Sequence, residues 1–492
     1  MSKTAVIVGG GFGGLATACL LAKGGYRVTV LEKNEQLGGR AGQLKATGFT
    51  FDTGPSWYLM PDVFEHFFAL MNEDISDHIE LVRLSPSYRV RYAGYGEVID
   101  IQGVPQTDAM TFERIEPGAG QQLLRYLDTA AYMHRLSMDT LLYRNYDSLK
   151  DLAHTQLLSA GRDAHPLKSM HGLVSKHFTD VRLRQILLYP SIFLGTSPYK
   201  TPAVYSLLNH VDLQQGVFYP MGGMYGLVEA LVAIGKRHGV TYRTNAPVER
   251  IIIKNNTAAG VVTQGKTLEA DVVISNADLH HTETQLLDKP HRDHSARYWQ
   301  TRTMAPSALV MHLGVDRQYD SLLHHNLLFE QDWRREFRGL FGTPIQFPAA
   351  SSLYVCAPGK TDASVAPEGH ENLCVLAMLP AGLRYTDEQL EAYADMVLAT
   401  MERDMQLPGL RDHIVYKKYF CADDFASRFN SYKGTGLGLS HTLRQTALFR
   451  PGNQSKKVKG LYYVGANVHP GIGLPAILIG AELLCRRLLP AE

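Results

Sequence analysis

Five cysteines in 492 residues, at positions 19, 356, 374, 421 and 485, are too scattered and odd in number for a disulfide framework, which points to a reducing compartment. None sits in a C-x-x-C or zinc-type spacing. The pairs His280–His281 and His324–His325 read as loop histidines, so no metal site is expected. An excess of either charge is also missing. Lys and Arg number 49 against 48 Asp and Glu, and the short run Lys456, Lys457, Lys459 reads as a solvated face, which excludes nucleic acid as a partner. Long hydrophobic runs are absent as well. Residues 4–22 carry no charge, but their glycines have turn character, and no other apolar run reaches the roughly twenty residues that span a bilayer. With 45% hydrophobic and 20% charged residues the chain is globular, and its length suggests about three domain-sized units or two large ones.

What is present begins at once. Residues 5–8 form an apolar strand, Gly9, Gly11 and Gly14 give G-x-G-x-x-G, residues 15–23 have helical composition, and residues 26–31 alternate like a second strand that ends at Glu32. In such a unit the first glycine permits the turn, the second lets backbone approach a pyrophosphate, and the third lets helix pack on strand, while the helix N-terminus offers unpaired N–H groups. Glu32, eighteen residues after Gly14, can accept ribose hydroxyls and disfavours a 2′-phosphate. The unit alone leaves NAD and FAD open. Its continuation E-K-x-x-x-L-G-G-R resembles the fingerprint shared by FAD-containing amine oxidases, protoporphyrinogen oxidases and carotenoid desaturases, in which the glycine pair and arginine lie against the flavin side of the cofactor.

Along the chain, 48–60 (GFTFDTGPSWYLM) adds an alternating strand and a D-x-G-P turn. Residues 120–145 have apolar positions at the spacing of one long amphipathic helix. Residues 183–219 are apolar and aromatic, with Lys200 the only charge between Arg184 and Asp212; they read either as a buried helical pair or as the lining of a site for a long apolar ligand or lipid. Residues 220–278 return to nucleotide-domain character, with a helix over 225–237 and strands over 248–253, 261–263 and 271–274. Residues 354–369 read as a loop and 387–405 as a helix. At the C-terminus, 461–464 reads as a strand, 465–475 as a glycine and proline turn and 476–489 as a helix.

These stretches together, namely GGGFGG with Glu32 and LGGR, FDTGPS, LRQ, FLGTSPY, GVFYPMGGM, SNAD, HHNLLF, CAPGKTDASVAPEG and VGANVHPGIGLP, resemble the bacterial and fungal type phytoene desaturases, FAD-dependent carotenoid desaturases related to amine oxidases. Asn467, Val468 and Ile472 stand where that family more often has small residues. The resemblance implies an α/β fold with α+β insertions. A discontinuous Rossmann-like FAD-binding domain would comprise 1–70, 220–285 and 451–492; a substrate-binding domain with candidate membrane-contacting helices would comprise 71–219 and 286–450. It places FAD, held without a covalent bond, on Gly9, Gly11, Gly13, Gly14, Glu32, Lys33, Gly39, Arg40, Gly54, Pro55, Ser56, Val248, Asn276, Gly465, Asn467, Gly471, Gly473, Leu474 and Pro475.

The implied activity is desaturation of phytoene by successive trans double bonds towards lycopene, or of another carotenoid or a thirty-carbon analogue. Flavin is the redox group, no dedicated protein nucleophile is expected, and electrons pass on to oxygen or a quinone. A long isoprenoid hydrocarbon substrate implies a cytoplasmic protein attached peripherally to a membrane surface. Two other classes compete: a non-catalytic isoprenoid carrier resembling the GDP dissociation inhibitors, which share this fold without flavin, and an amine oxidase acting on a soluble substrate. The intact glycine motif, Glu32 and Arg40 disfavour the first, and the apolar 183–219 stretch disfavours the second.

Overall fold

The computed structural model describes residues 2–148, 151 and 168–490. Residues 149–150 and 152–167, within the 71–219 segment, and the terminal positions 1 and 491–492 lie outside the described residues. The β-branched run Thr4–Val8 is buried from Ala5 onward and is the middle strand of a five-stranded, all-parallel sheet. The order is Leu461–Tyr463, Val272–Ser275, Thr4–Val8, Arg27–Leu31 and Thr241–Arg243, with Val6 opposite both Val273 and Thr29.

Alternation along these strands builds two cores. Ala5, Ile7, Val28, Val30 and Ile274 face the helices Phe12–Lys23, Tyr225–Arg237 and Leu474–Cys485. Val6, Val8, Leu31, Val273 and Leu461 face a three-stranded antiparallel sheet of Val248–Lys254, Thr257–Thr263 and Lys266–Glu269. The helix Phe12–Lys23 is buried without a break from Phe12 to Ala22, because it lies under the sheet and between the other two helices. Its sequence is accordingly apolar on every side.

A second sheet of seven strands runs Ile414–Phe420, Ser307–Val315, Glu371–Leu379, Leu353–Cys356, His325–Phe329, Tyr88–Tyr92 and Val98–Ile101. All its pairs are antiparallel except His325–Phe329 with Tyr88–Tyr92. One face packs under the helix Asp387–Asp404 through Leu309, Met311, Val355, Leu373 and Val375. Near the other face lies a helical layer that includes Ala119–Leu136 and Val181–Leu188.

Several expected elements differ in detail. The 354–369 segment is not all loop, since its first three residues end the strand Leu353–Cys356, whose register with Glu371–Leu379 is fixed by a partner that local sequence does not reveal. His324 and His325 are not loop histidines: both are buried, and His325 opens a strand directly opposite Cys356. His280 and His281 lie in the short helix Leu279–His281, capped by Asp278. The 120–145 helix is α-helical over Ala119–Leu136 and continues as π-turns over Ser137–Leu142. The C-terminal helix is Leu474–Cys485, two residues earlier than expected, because Pro475 sits in the first turn where no N–H is needed. The 183–219 stretch is a chain of short helical pieces rather than two helices, interrupted by Pro190, Pro198 and Pro202. Among the described residues no helix is long and apolar enough to cross a membrane.

Candidate functional site

The order of the parallel sheet reverses direction at Thr4–Val8, so the connections leaving its carboxyl edge diverge and leave a crevice. Each wall follows from a strand end. The Gly9 amide donates to Leu31 O at 2.8 Å, the Asn276 amide to Val8 O at 2.8 Å, and the Val464 amide to Ser275 O at 3.0 Å. Gly39 lies at φ +60° with room for only hydrogen on its Cα, since a Cβ there would come 3.0 Å from Gly11 Cα. The cleft so formed measures about 470 Å³.

Of the residues expected at a cofactor, Gly9, Gly11, Gly13, Glu32, Lys33, Gly39, Arg40, Pro55, Val248, Asn276, Gly465 and Leu474 line this cleft. Gly14, Gly54, Ser56, Asn467, Gly471, Gly473 and Pro475 are not in its wall. A Cβ on Gly14 would lie 2.3 Å from Gly9 O, and one on Gly54 would lie 1.8 Å from Arg40 O, so both hold backbone close to backbone. Gly471 instead packs over a side chain, since a Cβ there would meet the His441 imidazole. Asn467 donates to Asp278 Oδ2 at 2.9 Å and accepts from the Leu439 amide at 2.9 Å, orienting a carboxylate that does line the cleft. Gly473 is the N-cap of Leu474–Cys485 and Pro475 lies in its first turn. Ser56 Oγ is 2.7 Å from Tyr354 Oη, turned towards the second sheet.

The donor set suits an anionic dinucleotide. The helices Phe12–Lys23 and Leu474–Cys485 both begin at the cleft without a side-chain cap, leaving N–H groups and a positive dipole end free for phosphate. Glu32 is buried and braced: Oε2 accepts from the Gly10 amide at 2.8 Å, and Oε1 accepts from the Asn34 amide at 2.8 Å and its side chain at 2.9 Å. One acceptor site remains for a ribose hydroxyl.

Arg40 makes the sharper case. Its Nη2 donates to Ser431 Oγ at 2.8 Å, its guanidinium lies 5.6 Å from the Phe429 ring centroid, and its buried Nε has no partner. Burial pulls its pKa below the ordinary range, with Asp278 partly opposing. A cation left short of partners at a cleft wall has donors to offer an anion such as a phosphate oxygen. FAD therefore fits the residues present. Lys33, by contrast, is engaged by the protein, donating to Ser427 O and to Asn430 Oδ1 at 3.0 Å.

Sequence reasoning did not find Asn34, Asp278, His281, Arg428, Phe429, Asn430 and Ile477, which also line the cleft. Arg428 to Asn430 arrive from a remote segment at the end of the helix Ala422–Phe429, and no local motif marks them. Asp52, of the D-x-G-P turn, has a different task. It accepts from the Met224 and Tyr225 amides at 2.8 and 3.1 Å, capping the helix Tyr225–Arg237 from outside, and burial raises its pKa to about 7.

Two residues beyond Pro55 the chain enters an aromatic cluster. Trp57 stacks on His325 with ring centroids 4.2 Å apart and packs against Tyr88, Tyr189, Phe193 and Tyr354. Trp57, Ile192, Phe193, Met221, Tyr354 and Leu376 keep partial exposure against the core between the seven-stranded sheet and its helical layer, an apolar wall beside the cofactor turn. Here the structure also brings Cys356 to the two histidines, with ligand-type atoms of His324, His325 and Cys356 within 4.8 Å of one another. Both imidazoles are kept neutral by burial, His324 near pKa 3 and His325 well below the usual range, and burial pushes the Cys356 thiol up.

A family model described as flavin containing amine oxidoreductase matches residues 12–476. The chain is 44% identical over 477 residues to the carotenoid 3,4-desaturase of Haloarcula japonica, covering 97% of this chain and 96% of that protein. It is 38% identical over 494 residues to the zeta-carotene-forming phytoene desaturase of Myxococcus xanthus, covering 98% and 93%. An oxidoreductase from Methanosarcina mazei shares the fold with a TM-score of 0.64 at 18% identity, covering 97% of this chain and 99% of that one.

Proposed function

The chain belongs to the flavin-containing amine oxidoreductase family, and from that premise we propose that it is an FAD-dependent carotenoid desaturase. It is an oxidoreductase acting on CH–CH groups of a polyisoprenoid hydrocarbon. The geometric observation that carries this reading is one turn with two faces: Pro55 lines the dinucleotide cleft and Trp57 joins the apolar, aromatic wall. FAD held in the cleft would supply the hydride acceptor, and the protein has to bring a long apolar chain to it and keep water out. Glu32 would hold the adenosine ribose, Arg40 and the two helix starts the pyrophosphate, and Trp57, Phe193, Met221, Tyr354 and Leu376 the hydrocarbon.

Phytoene is the first substrate to offer, in line with the name of the Myxococcus relative. A second reading, desaturation near the end of an already unsaturated carotenoid, is favoured by the name of the Haloarcula relative and by its higher identity. Expression in cells that accumulate phytoene, and separately in cells that accumulate lycopene, distinguishes them. A new chromophore in the first supports phytoene and in the second alone supports chain-end desaturation, whereas unchanged carotenoids in both, with flavin bound to the protein, would count against the function.

The FAD-binding domain comprises 1–70, 220–285 and 451–492 in this reading, which rests on the strands of the parallel sheet all coming from those segments. Reoxidation would fall to oxygen or a quinone. At about 0.8 kcal/mol per buried methylene, a carotenoid is hardly soluble in water, so delivery is assigned to peripheral contact with a membrane. Co-sedimentation with liposomes supports that contact, and full activity on a dispersed substrate without any binding to liposomes contradicts it.

A further inference from the structure

Three hydrogen-bonding groups connect the cofactor turn to the second sheet. Ser56 Oγ lies 2.7 Å from Tyr354 Oη, and Tyr354 Oη lies 2.8 Å from His325 Nδ1. Each belongs to a different element: the turn after Gly54–Pro55, the strand Leu353–Cys356 and the first residue of His325–Phe329. His325 is fully buried under Trp57, and its Nε2 has no partner. Tyr354 differs from its strand. Leu353, Val355 and Cys356 are buried, but the tyrosine is only half-buried; its ring centroid lies 5.9 Å from that of Trp57, and both pack with Phe193 and Leu376 against one core. It is the group with a proton-transferring oxygen that this strand presents to the apolar wall.

We propose that Tyr354 receives the proton that carbon loses during desaturation, with His325 as the positioning residue that takes Tyr354's own proton in the same movement. The proposal rests on the function proposed above. In each desaturation one C–H bond breaks with its electron pair leaving as hydride to the flavin. The neighbouring C–H bond then breaks, its electron pair forms the new C=C bond, and its proton goes to Tyr354 Oη. The former phenol proton moves to His325 Nδ1, giving an imidazolium. The surplus proton returns through Tyr354 to half-buried Ser56 and from there to solvent, restoring neutral His325.

The chemistry matches the groups available. Loss of hydride leaves a cationic carbon whose neighbouring C–H is strongly acidic, so a weak oxygen base suffices. An apolar wall that excludes water must nevertheless contain some acceptor. Burial keeps His325 neutral in the resting protein and holds Tyr354 as a phenol, and in the tautomer with hydrogen on Nε2 the ring accepts the phenol's hydrogen bond at Nδ1. Cys356, whose thiol is pushed up by burial, reaches the cofactor turn only through Tyr354 itself, and His324 Nδ1 is engaged with Thr361 Oγ1 at 2.8 Å.

The test uses the full chain loaded with FAD. Single-turnover desaturation of phytoene or lycopene in liposomes is measured anaerobically for the parent, Tyr354→Phe and His325→Gln, with FAD affinity and carotenoid binding measured alongside. The expected result is a fall of roughly 100-fold or more in the rate constant for Tyr354→Phe, and a fall of about 10-fold for His325→Gln, with both affinities kept. A second readout does not depend on turnover: in protein labelled with 15N-histidine, the His325 Nδ1 resonance should shift in Tyr354→Phe and report a neutral ring in the parent. Parental rates in either well-folded variant would overturn the proposal, as would an imidazolium signal from resting His325. Should Tyr354→Phe not fold, His325→Gln decides alone. A flavin-loaded parent that desaturates neither carotenoid strikes at the proposed function instead, so the two failures are distinguishable.

Discussion

At the scale of single residues the account depends on Arg40 and Glu32. Arg40→Ala removes a cation with an orphaned Nε and should weaken FAD binding roughly 10- to 100-fold, the usual worth of a charged hydrogen bond. Titrating apo-protein with FAD and following flavin fluorescence reads this directly, and an unchanged dissociation constant would remove Arg40 from the site. Glu32→Ala is expected to weaken binding by about 10-fold, and circular dichroism controls for the Gly10 and Asn34 amides that it also braces. Glu32 is legible because it lies one helix and one strand after the glycine turn, within a single local unit. Arg428, Phe429 and Asn430 were not, because only the meeting of two distant segments places them at the cleft. The closeness of His325 and Cys356 was hidden for a related reason, since register between two strands is fixed by tertiary pairing and not by spacing along the chain.

At the scale of elements the glycine turn and its helix form one mechanical unit. Gly14→Ala would drive a Cβ to within 2.3 Å of the Gly9 carbonyl, so the helix has to move away from the strand that aims its N-terminus. A loss of about 1–3 kcal/mol in urea unfolding is expected, together with weakened flavin retention. Wild-type stability and flavin content in that variant would show that the close approach is not required. The helix Tyr225–Arg237 was legible to the residue because its apolar period, and a Gly222–Gly223 turn before it, are local signals. The strand Leu353–Cys356, three of whose residues fall in the 354–369 stretch that reads as loop, is not legible because four residues followed by Ala357–Pro358–Gly359 carry no period long enough to read.

At the scale of the whole molecule, the parallel sheet and its carboxyl-edge cleft could be read from two short motifs at opposite ends of the chain, whereas the seven-stranded sheet, assembled from non-local pairs, could not. Burial also sets how stability responds to pH. It raises Asp212 to about 8, and Asp52 and Glu336 to about 7, so the folded protein retains protons that the unfolded chain releases near pH 4. Stability should therefore fall as pH rises from about 7 to 8, above the range in which the buried histidines, His312 and His469 held near 4 and His324 near 3, add stability as the unfolded imidazole titrates at about 6.5. Asp212→Asn should flatten that fall in thermal midpoint, and a parental midpoint that rises across the window would contradict it. The central claim, that this molecule passes hydride from a carotenoid to bound flavin, is tested most directly by one anaerobic turnover of FAD-loaded protein with phytoene or lycopene in liposomes, analysed by chromatography and mass spectrometry. The account predicts one product molecule lacking two hydrogens per flavin. No product from either carotenoid, with flavin that is instead reduced by a simple amine, would contradict it.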